Sequence, residues 1–347
     1  MIVDVNSHWV PANFFTDKDL LDAFVRTVPR AYGENVVIET IPGTNRPQVT
    51  LSRPKGYENV ASSDVDADLV DQLKAMDDNG IDKSVKRVAI FEEWITLELA
   101  KLANDAMARV VKEHPDRLLG LGMVPPWGDK ACLYEMDRCI KELGLAGFVC
   151  PAHYGVLYLD AMEVRPFFKK VNELDVPICV HHTALPVDYE HIYEFPNFRR
   201  LYGRCMDQMI SVGRILFSGM LNELPNLKLI HTFLGGAFFA YADLLVPKKS
   251  EIKEVMAERF DPNASEKIRG YLDRNIYFDI SHAPPWGKAQ LECAVKVLGA
   301  DHVLFGSSYP LRRDWLYNGV DYVKNLDITE KEKSLILGEN AIRLFKI

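Results

Sequence analysis

The residues of this chain best equipped for chemistry are histidines at the ends of short apolar runs. His8 closes Val3-Asp4-Val5-Asn6-Ser7-His8, and His181 closes Val176-Pro177-Ile178-Cys179-Val180-His181, with His182 behind it. His153, His231 and His282 stand at or just past similar runs. Imidazole titrates near neutral pH, so a histidine placed where strands end is suited to acid/base work or to holding a metal. His8, His181 and His282 are the candidates for catalysis. Strict alternation puts Asp4, Asn6 and His8 on one face of the first strand, and His231 on the same face as Phe233 two residues on. Asn6, His153, His231 and Ser308 are accordingly candidates for contact with substrate. Arg312 and Arg313 offer planar forks that would clamp a carboxylate, and Trp286 offers an aromatic wall. Glu92, Glu93 and Trp94 are read either as pocket lining or as rim packing. Each of these residues also has a plainer reading as a hydrogen-bonded core histidine, a surface arginine or a packed aromatic.

Side chains so far apart in sequence meet only on a scaffold whose strands end together. Apolar, β-branched runs occur at 2–5, 83–90, 118–124, 147–150, 177–181, 226–231, 276–280 and 302–305. Helical patterns at 66–79, 97–113, 130–143 and 164–174 fall between them. Eight strands alternating with helices predict an α/β fold closed into a (β/α)₈ TIM barrel, whose active sites lie at the C-terminal ends of the strands. A doubly wound open sheet would want a G-x-G-x-x-G turn after an early strand, and none is present. Gly43-Thr44-Asn45 between alternating runs predicts a small β-hairpin inserted after strand one, over about 36–52. Residues 190–222, rich in Tyr, Phe, Arg and Met, predict extra helices after strand five that form a lid or a subunit contact. Interface cores favour those residue types, so a homodimer is expected. A single domain over 1–347 is the simplest organisation.

A net charge of -8, with no basic stripe, excludes a polyphosphate-binding role and argues against nucleic acid. No apolar run approaches the ~20 residues needed to cross a bilayer, and strand-like sequence begins at Ile2, which leaves no room for a signal segment. The expected setting is cytoplasmic, with a small-molecule substrate and no membrane or nucleic-acid partner. The six cysteines show no C-x-x-C spacing and read as reduced core residues.

Several runs together carry a family resemblance. They are Asp4-Val5-Asn6-Ser7-His8 with Pro11, Met76-Asp77-Asp78-Asn79-Gly80-Ile81-Asp82, Asn104-Asp105, His114-Pro115-Asp116-Arg117 and Glu142-Leu143-Gly144-Leu145-Ala146-Gly147. Further along come the run ending at His181, Pro225-Asn226-Leu227-Lys228-Leu229, Gly235-Gly236, and Phe305-Gly306-Ser307-Ser308-Tyr309-Pro310. Over nearly its whole length the chain resembles the second amidohydrolase family, which includes aminocarboxymuconate-semialdehyde decarboxylase and dihydroxybenzoate decarboxylases. The resemblance implies metal ligands from two histidines on strand one, one on strand five, one on strand six and an aspartate on strand eight. His8 and His181 match. Asn6, Phe233 and Ser308 stand at the other three positions.

A strong zinc site needs about three N, S or O donors and an open position, so two imidazoles predict that metal and cofactor are both absent. The leading expectation is a metal-independent enzyme acting on a small carboxylated ring or unsaturated acid, by decarboxylation or a related proton-transfer, hydration or hydrolytic step. The alternative is a metal-dependent hydrolase or decarboxylase with rearranged ligands, in which zinc or manganese is held through His8 and His181 joined by His231, His282 or a carboxylate. The third reading is a non-catalytic descendant that binds a small molecule.

Overall fold

The apolar runs pair with one another in sequence order. In the computed structural model, β1 (Val3–Trp9), β5 (Lys83–Val88), β6 (Leu118–Gly122), β7 (Gly147–Pro151), β10 (Pro177–His181), β11 (Lys228–His231), β12 (Ile276–Asp279) and β13 (Val303–Leu304) form one eight-stranded sheet. The structure describes residues 1–11, 17–27, 35–45, 47–52, 60–63, 68–90, 92–183, 186, 189–192, 195, 198–252, 261–281, 286–311 and 313–347. Neighbouring strands in the sheet are parallel. The sheet closes where Val5 N–H donates to Phe305 O at 2.9 Å and His8 N–H to Tyr309 O at 2.7 Å. Closure removes the sheet edge, and a ring of helices covers the outside. The strands are therefore buried on both faces, which explains the nearly continuous apolar runs of β6, β7 and β10, while β1 and β5 bury polar side chains.

The helices between strands start on side chains suited to capping. Asp68 caps α2 (Leu69–Asp78), Thr96 caps α3 (Leu97–Glu113) and Asp129 caps α4 (Lys130–Lys141), each side-chain oxygen accepting from backbone N–H groups of the first turn. α5 (Arg165–Leu174) instead opens with a proline in its first turn.

After β1 the chain inserts a three-stranded antiparallel sheet of β2 (Asn35–Thr40), β3 (Pro47–Ser52) and β4 (Val60–Ser63). The predicted hairpin is its first two strands. The third, β4, is only four residues long and carries little alternation to announce it. After β10 come α6 (Tyr189–Ile192), a wide helical turn over Phe198–Gly203, and α7 (Arg204–Phe217), which are the predicted extra helices.

Two backbone features decide where side chains point. β1 carries a bulge: Asp4 pairs with Ser84 but Ser7 pairs with Lys86, so three residues on β1 span two on β5. The extra residue changes the phase of the strand, and Asp4 does not share the face of Asn6 and His8. Directly after β11, residues Phe233, Leu234, Gly235, Gly236 and Ala237 all have φ between 50° and 69°. Left-handed backbone costs a non-glycine residue about 1–2 kcal/mol, so packing must hold this turn. Gly236 lies so close to α7 that a Cβ there would sit 1.7 Å from the Cys205 carbonyl oxygen.

Candidate active site

The bulge gives β1 two polar faces. Inside the barrel, Val5, Val85, Leu121 and Val149 line the apolar side of a small pocket, and Asn6, Arg87, Cys179, His181, Thr232 and Asp279 supply most of its polar lining. Asn6 Nδ2 donates to Asp279 Oδ2 at 2.9 Å. Asp279 Oδ1 accepts from Ser281 N–H at 2.8 Å. Burial pushes the Asp279 carboxyl up to about 6 despite these hydrogen bonds. Gly306 on the neighbouring strand leaves room for the pair, since a Cβ there would come within 2.9 Å of Asn6 Cβ.

Above that pair, His8 lies directly opposite Arg87 in the β1–β5 register. His8 and His181 meet edge to face with ring centroids 5.7 Å apart. The Arg87 guanidinium reaches across the barrel: Nη2 is 2.9 Å from His181 Nε2, and Nη1 forms an ion pair with Glu92. Among the described residues Arg87 Nε and His181 Nδ1, both buried, have no hydrogen-bond partner. Glu92 Oε1 lies 4.0 Å from His181 Nδ1. Burial raises the Glu92 carboxyl, against the pull of Arg87. It lowers His181 far below the usual imidazole range, with Arg87, His182, His8 and Arg204 adding positive charge in the same direction. His181 is therefore neutral. An arginine has no acceptor and keeps its protons, so His181 Nε2 accepts from Arg87 and the ring proton sits on Nδ1.

Outside the barrel wall the same strand presents a second polar group. Asp4 accepts from Ser307 N–H at 3.0 Å, from Asn6 N–H at 3.1 Å and from the Ser307 hydroxyl. Lys86 Nζ donates to Ser7 Oγ at 2.8 Å and to Gln72 Oε1 of α2 at 2.6 Å. Burial pushes Asp4 up to about 6 and Lys86 down to about 8. This cluster seals the space between barrel and helices.

The other predicted residues are scattered around this centre. His153 lies at the mouth in β8 (His153–Tyr154), with Nε2 3.3 Å from both Asp207 Oδ1 of α7 and Thr183 Oγ1. Burial lowers its pKa, but Asp207 outweighs that effect and holds it above the ordinary value. His231 pairs in register with Val180 and Phe278, the residues that alternate with cavity-lining Cys179 and Asp279. Its ring faces the helical layer, where Nδ1 meets Gln208 Oε1 of α7 at 2.9 Å, and burial lowers it to about 3. The expectation that His231 points into the barrel therefore fails on register. Ser308 sits at φ 59° and ties the barrel closed, its N–H donating to Asn6 O at 2.7 Å. Phe233 packs 5.5 Å from His182. Trp286 stands edge-on to Phe239 at 6.4 Å, away from the cavity lining. Arg313 is an exposed residue opening the helix Arg313–Lys324. His282 and Arg312 lie outside the described residues.

Three functional-looking residues escaped sequence reasoning. Arg87 and Asp279 were not singled out, and Glu92 was weighed only as lining or rim. The signal for Arg87 was present: in Lys83–Val88 alternation puts Val85 and Arg87 on one face, so a barrel whose interior holds Val85 also receives Arg87.

These donors do not, as arranged, make a metal site. Among the described residues no three His, Cys, Asp or Glu side chains are gathered so as to hold a metal ion. The two facing imidazoles are the strongest donors present, and one nitrogen of His181 already accepts from Arg87.

Comparison with known proteins adds to this geometry. A model of the family described as amidohydrolase matches residues 72–347. The gamma-resorcylate decarboxylase of Rhizobium sp. is 26% identical over 291 residues, covering 80% of this chain and 86% of that protein. The 2-amino-3-carboxymuconate-6-semialdehyde decarboxylase of Dictyostelium discoideum is 26% identical over 295 residues, covering 83% and 79%. Among solved structures, a dihydroxybenzoic acid decarboxylase from Polaromonas with bound manganese and the inhibitor 2-nitroresorcinol superposes with a TM-score of 0.71 at 22% identity, covering 99% of this chain and 96% of that one. The barrel is thus shared with solved enzymes. The expectation of no cofactor and a metal-independent reaction is corrected by the bound manganese of this neighbour, which points to a metal cofactor. The sequence argument ranked the rearranged-ligand alternative second because Asn6, Phe233 and Ser308 stand at three of the five family positions.

Proposed function

We propose, from the premise that this chain belongs to the amidohydrolase family, that it is a metal-dependent decarboxylase of a small carboxylated aromatic ring or unsaturated acid. The reading is supported by the relatives' activities and, on this molecule, by one observation above all: a pocket at the strand ends is lined by Arg87 and His181, with the His8 ring edge-on to that of His181. Arg204 adds to the positive charge around His181. The Arg87 guanidinium there is a group able to pair with a substrate carboxylate.

In such a reaction the ring carbon that bears the carboxylate gains a proton. The bond to the carboxylate carbon then breaks, its electron pair returns to the ring, and CO₂ leaves. His8 is placed to carry the proton. His181, beside Arg87 in the pocket lining, is placed to help hold the metal or the substrate's oxygens. Asn6 and Asp279 form the polar floor, and the apolar residues beneath them exclude water. A bound metal would supply positive charge to hold the substrate's oxygens. The test is to supply 2,6-dihydroxybenzoate, 5-carboxyvanillate and a carboxymuconate semialdehyde with manganese and follow CO₂ release. Release from at least one of them at a rate that depends on His8 is expected, and silence across the panel would refute the reading.

The chain is read as a single domain over 1–347, working in the cytoplasm as a homodimer. Support for the dimer comes from the insertion after β10, where Phe195, Phe198, Leu201 and Tyr202 are exposed. Sedimentation at micromolar concentration should give twice the chain mass, denaturation one cooperative transition, and fractionation a soluble cytoplasmic protein.

A further inference from the structure

We propose that Arg87 is a competing cation built into the site, so that a metal ion binds His181 only when the Arg87 guanidinium withdraws. The inference rests on the metal-dependent reading above, and it follows from the lone pairs of one ring. A neutral imidazole has a single nitrogen lone pair, and a guanidinium only donates. In this structure that lone pair, on His181 Nε2, accepts from Arg87 Nη2 at 2.9 Å. A metal–imidazole bond is about 2.0–2.1 Å for zinc, so an ion on Nε2 along that direction would lie roughly 1 Å from the arginine nitrogen. If the ion instead took Nδ1, the ring proton would move to Nε2 and point at an N–H of Arg87. Either way the Arg87–His181 bond must break.

Glu92 gives the guanidinium its other anchor. It is buried beside both groups, ion-paired with Arg87 and 4.0 Å from His181 Nδ1. If Arg87 swings away, Glu92 loses its cation partner and becomes a carboxylate free to turn toward the ion. One rearrangement would thus remove a competing charge and free a carboxylate donor beside His181.

The test titrates chelator-treated protein with manganese and reads the free ion by electron paramagnetic resonance, with no substrate present. Since charge-assisted hydrogen bonds are worth about 1.5–3 kcal/mol, Arg87→Met should bind manganese about tenfold or more tightly than the unsubstituted chain. Equal or weaker binding overturns the proposal. Should Arg87→Met fail to fold, the unsubstituted chain answers alone: with labelled histidine and arginine, saturation by diamagnetic zinc should shift His181 and remove the hydrogen-bonded Arg87 guanidinium resonance together. An Arg87 resonance that persists at saturation overturns it equally. Tighter manganese binding by the variant, together with no CO₂ release from any panel compound by the unsubstituted chain, would sink the decarboxylase reading and leave this one standing.

Discussion

The two faces of β1 carry polar groups of similar kind and opposite fate. On the outer face Asp4, Ser7 and Lys86 are tied to Ser307 and Gln72 by short hydrogen bonds. On the inner face Arg87 Nε and His181 Nδ1 have no hydrogen-bond partner among the described residues, though both are buried. Buried polar groups are nearly always satisfied, so an exception asks for an explanation. The outer cluster has the signature of structure and the inner one that of a site awaiting a ligand. Burial alone does not tell them apart, since it moves Asp4 outside and Asp279 inside to the same value of about 6.

The sharpest way to break this comparison is to substitute one residue from each face. His8→Ala or His181→Ala should lower turnover by about 10²–10⁴-fold with little change in thermal unfolding, because a positioned acid or base contributes that much. Lys86→Met should do the reverse, keeping turnover but losing about 1–3 kcal/mol of stability as Gln72 and Asp4 are left buried without their cation. If Lys86→Met abolishes turnover in a protein that unfolds normally, the outer cluster is part of the site.

Packing at the mouth gives the next effect. Gly236→Ala should lower the unfolding midpoint by several degrees, because its Cβ would collide with the Cys205 carbonyl and the left-handed turn tolerates a side chain poorly. Unchanged unfolding would show that the turn relaxes away from α7.

The two buried carboxyls sharpen the comparison by pH. With pKa values raised to about 6 from an ordinary 3.8, Asp4 and Asp279 hold more protons in the folded than in the unfolded chain between those values. Stability then falls as pH rises through that window and levels off above it. Asp4→Asn and Asp279→Asn should each flatten that fall in denaturant titrations at pH 4, 5 and 6. Only Asp279→Asn should also lower turnover, since Asp279 holds Asn6 in the cavity wall.

The smallest effect is expected at His231. His231→Leu should leave turnover within about twofold and change stability by about 1–3 kcal/mol, because its ring bonds Gln208 outside the barrel and a buried polar partner is lost. A loss of turnover comparable to that of His181→Ala would place His231 in the chemistry after all.

Much of this molecule was legible because period-two runs alternating with helical ones leave few architectures, and because active sites in a barrel gather where strands end. That logic found His8 and His181. It misplaced Asp4, since a bulge is one extra residue with no mark in Asp4-Val5-Asn6-Ser7. It misplaced His231, since the alternation was counted from Phe233, which lies beyond the strand in a left-handed turn. It passed over Arg87 because a basic residue in a strand reads as surface until the register shows which face is inside. It expected no metal because Asn6 and Ser308 are weak donors and Phe233 is none, and so ranked the rearranged-ligand alternative second.

The most direct measurement of the central claim is CO₂ release from 2,6-dihydroxybenzoate, or whichever panel compound is turned over, before chelation, after it and after manganese is restored. Turnover should be lost on chelation and recovered with manganese in the unsubstituted chain, and should stay lost in His181→Ala. Full turnover by the chelated protein would contradict the account.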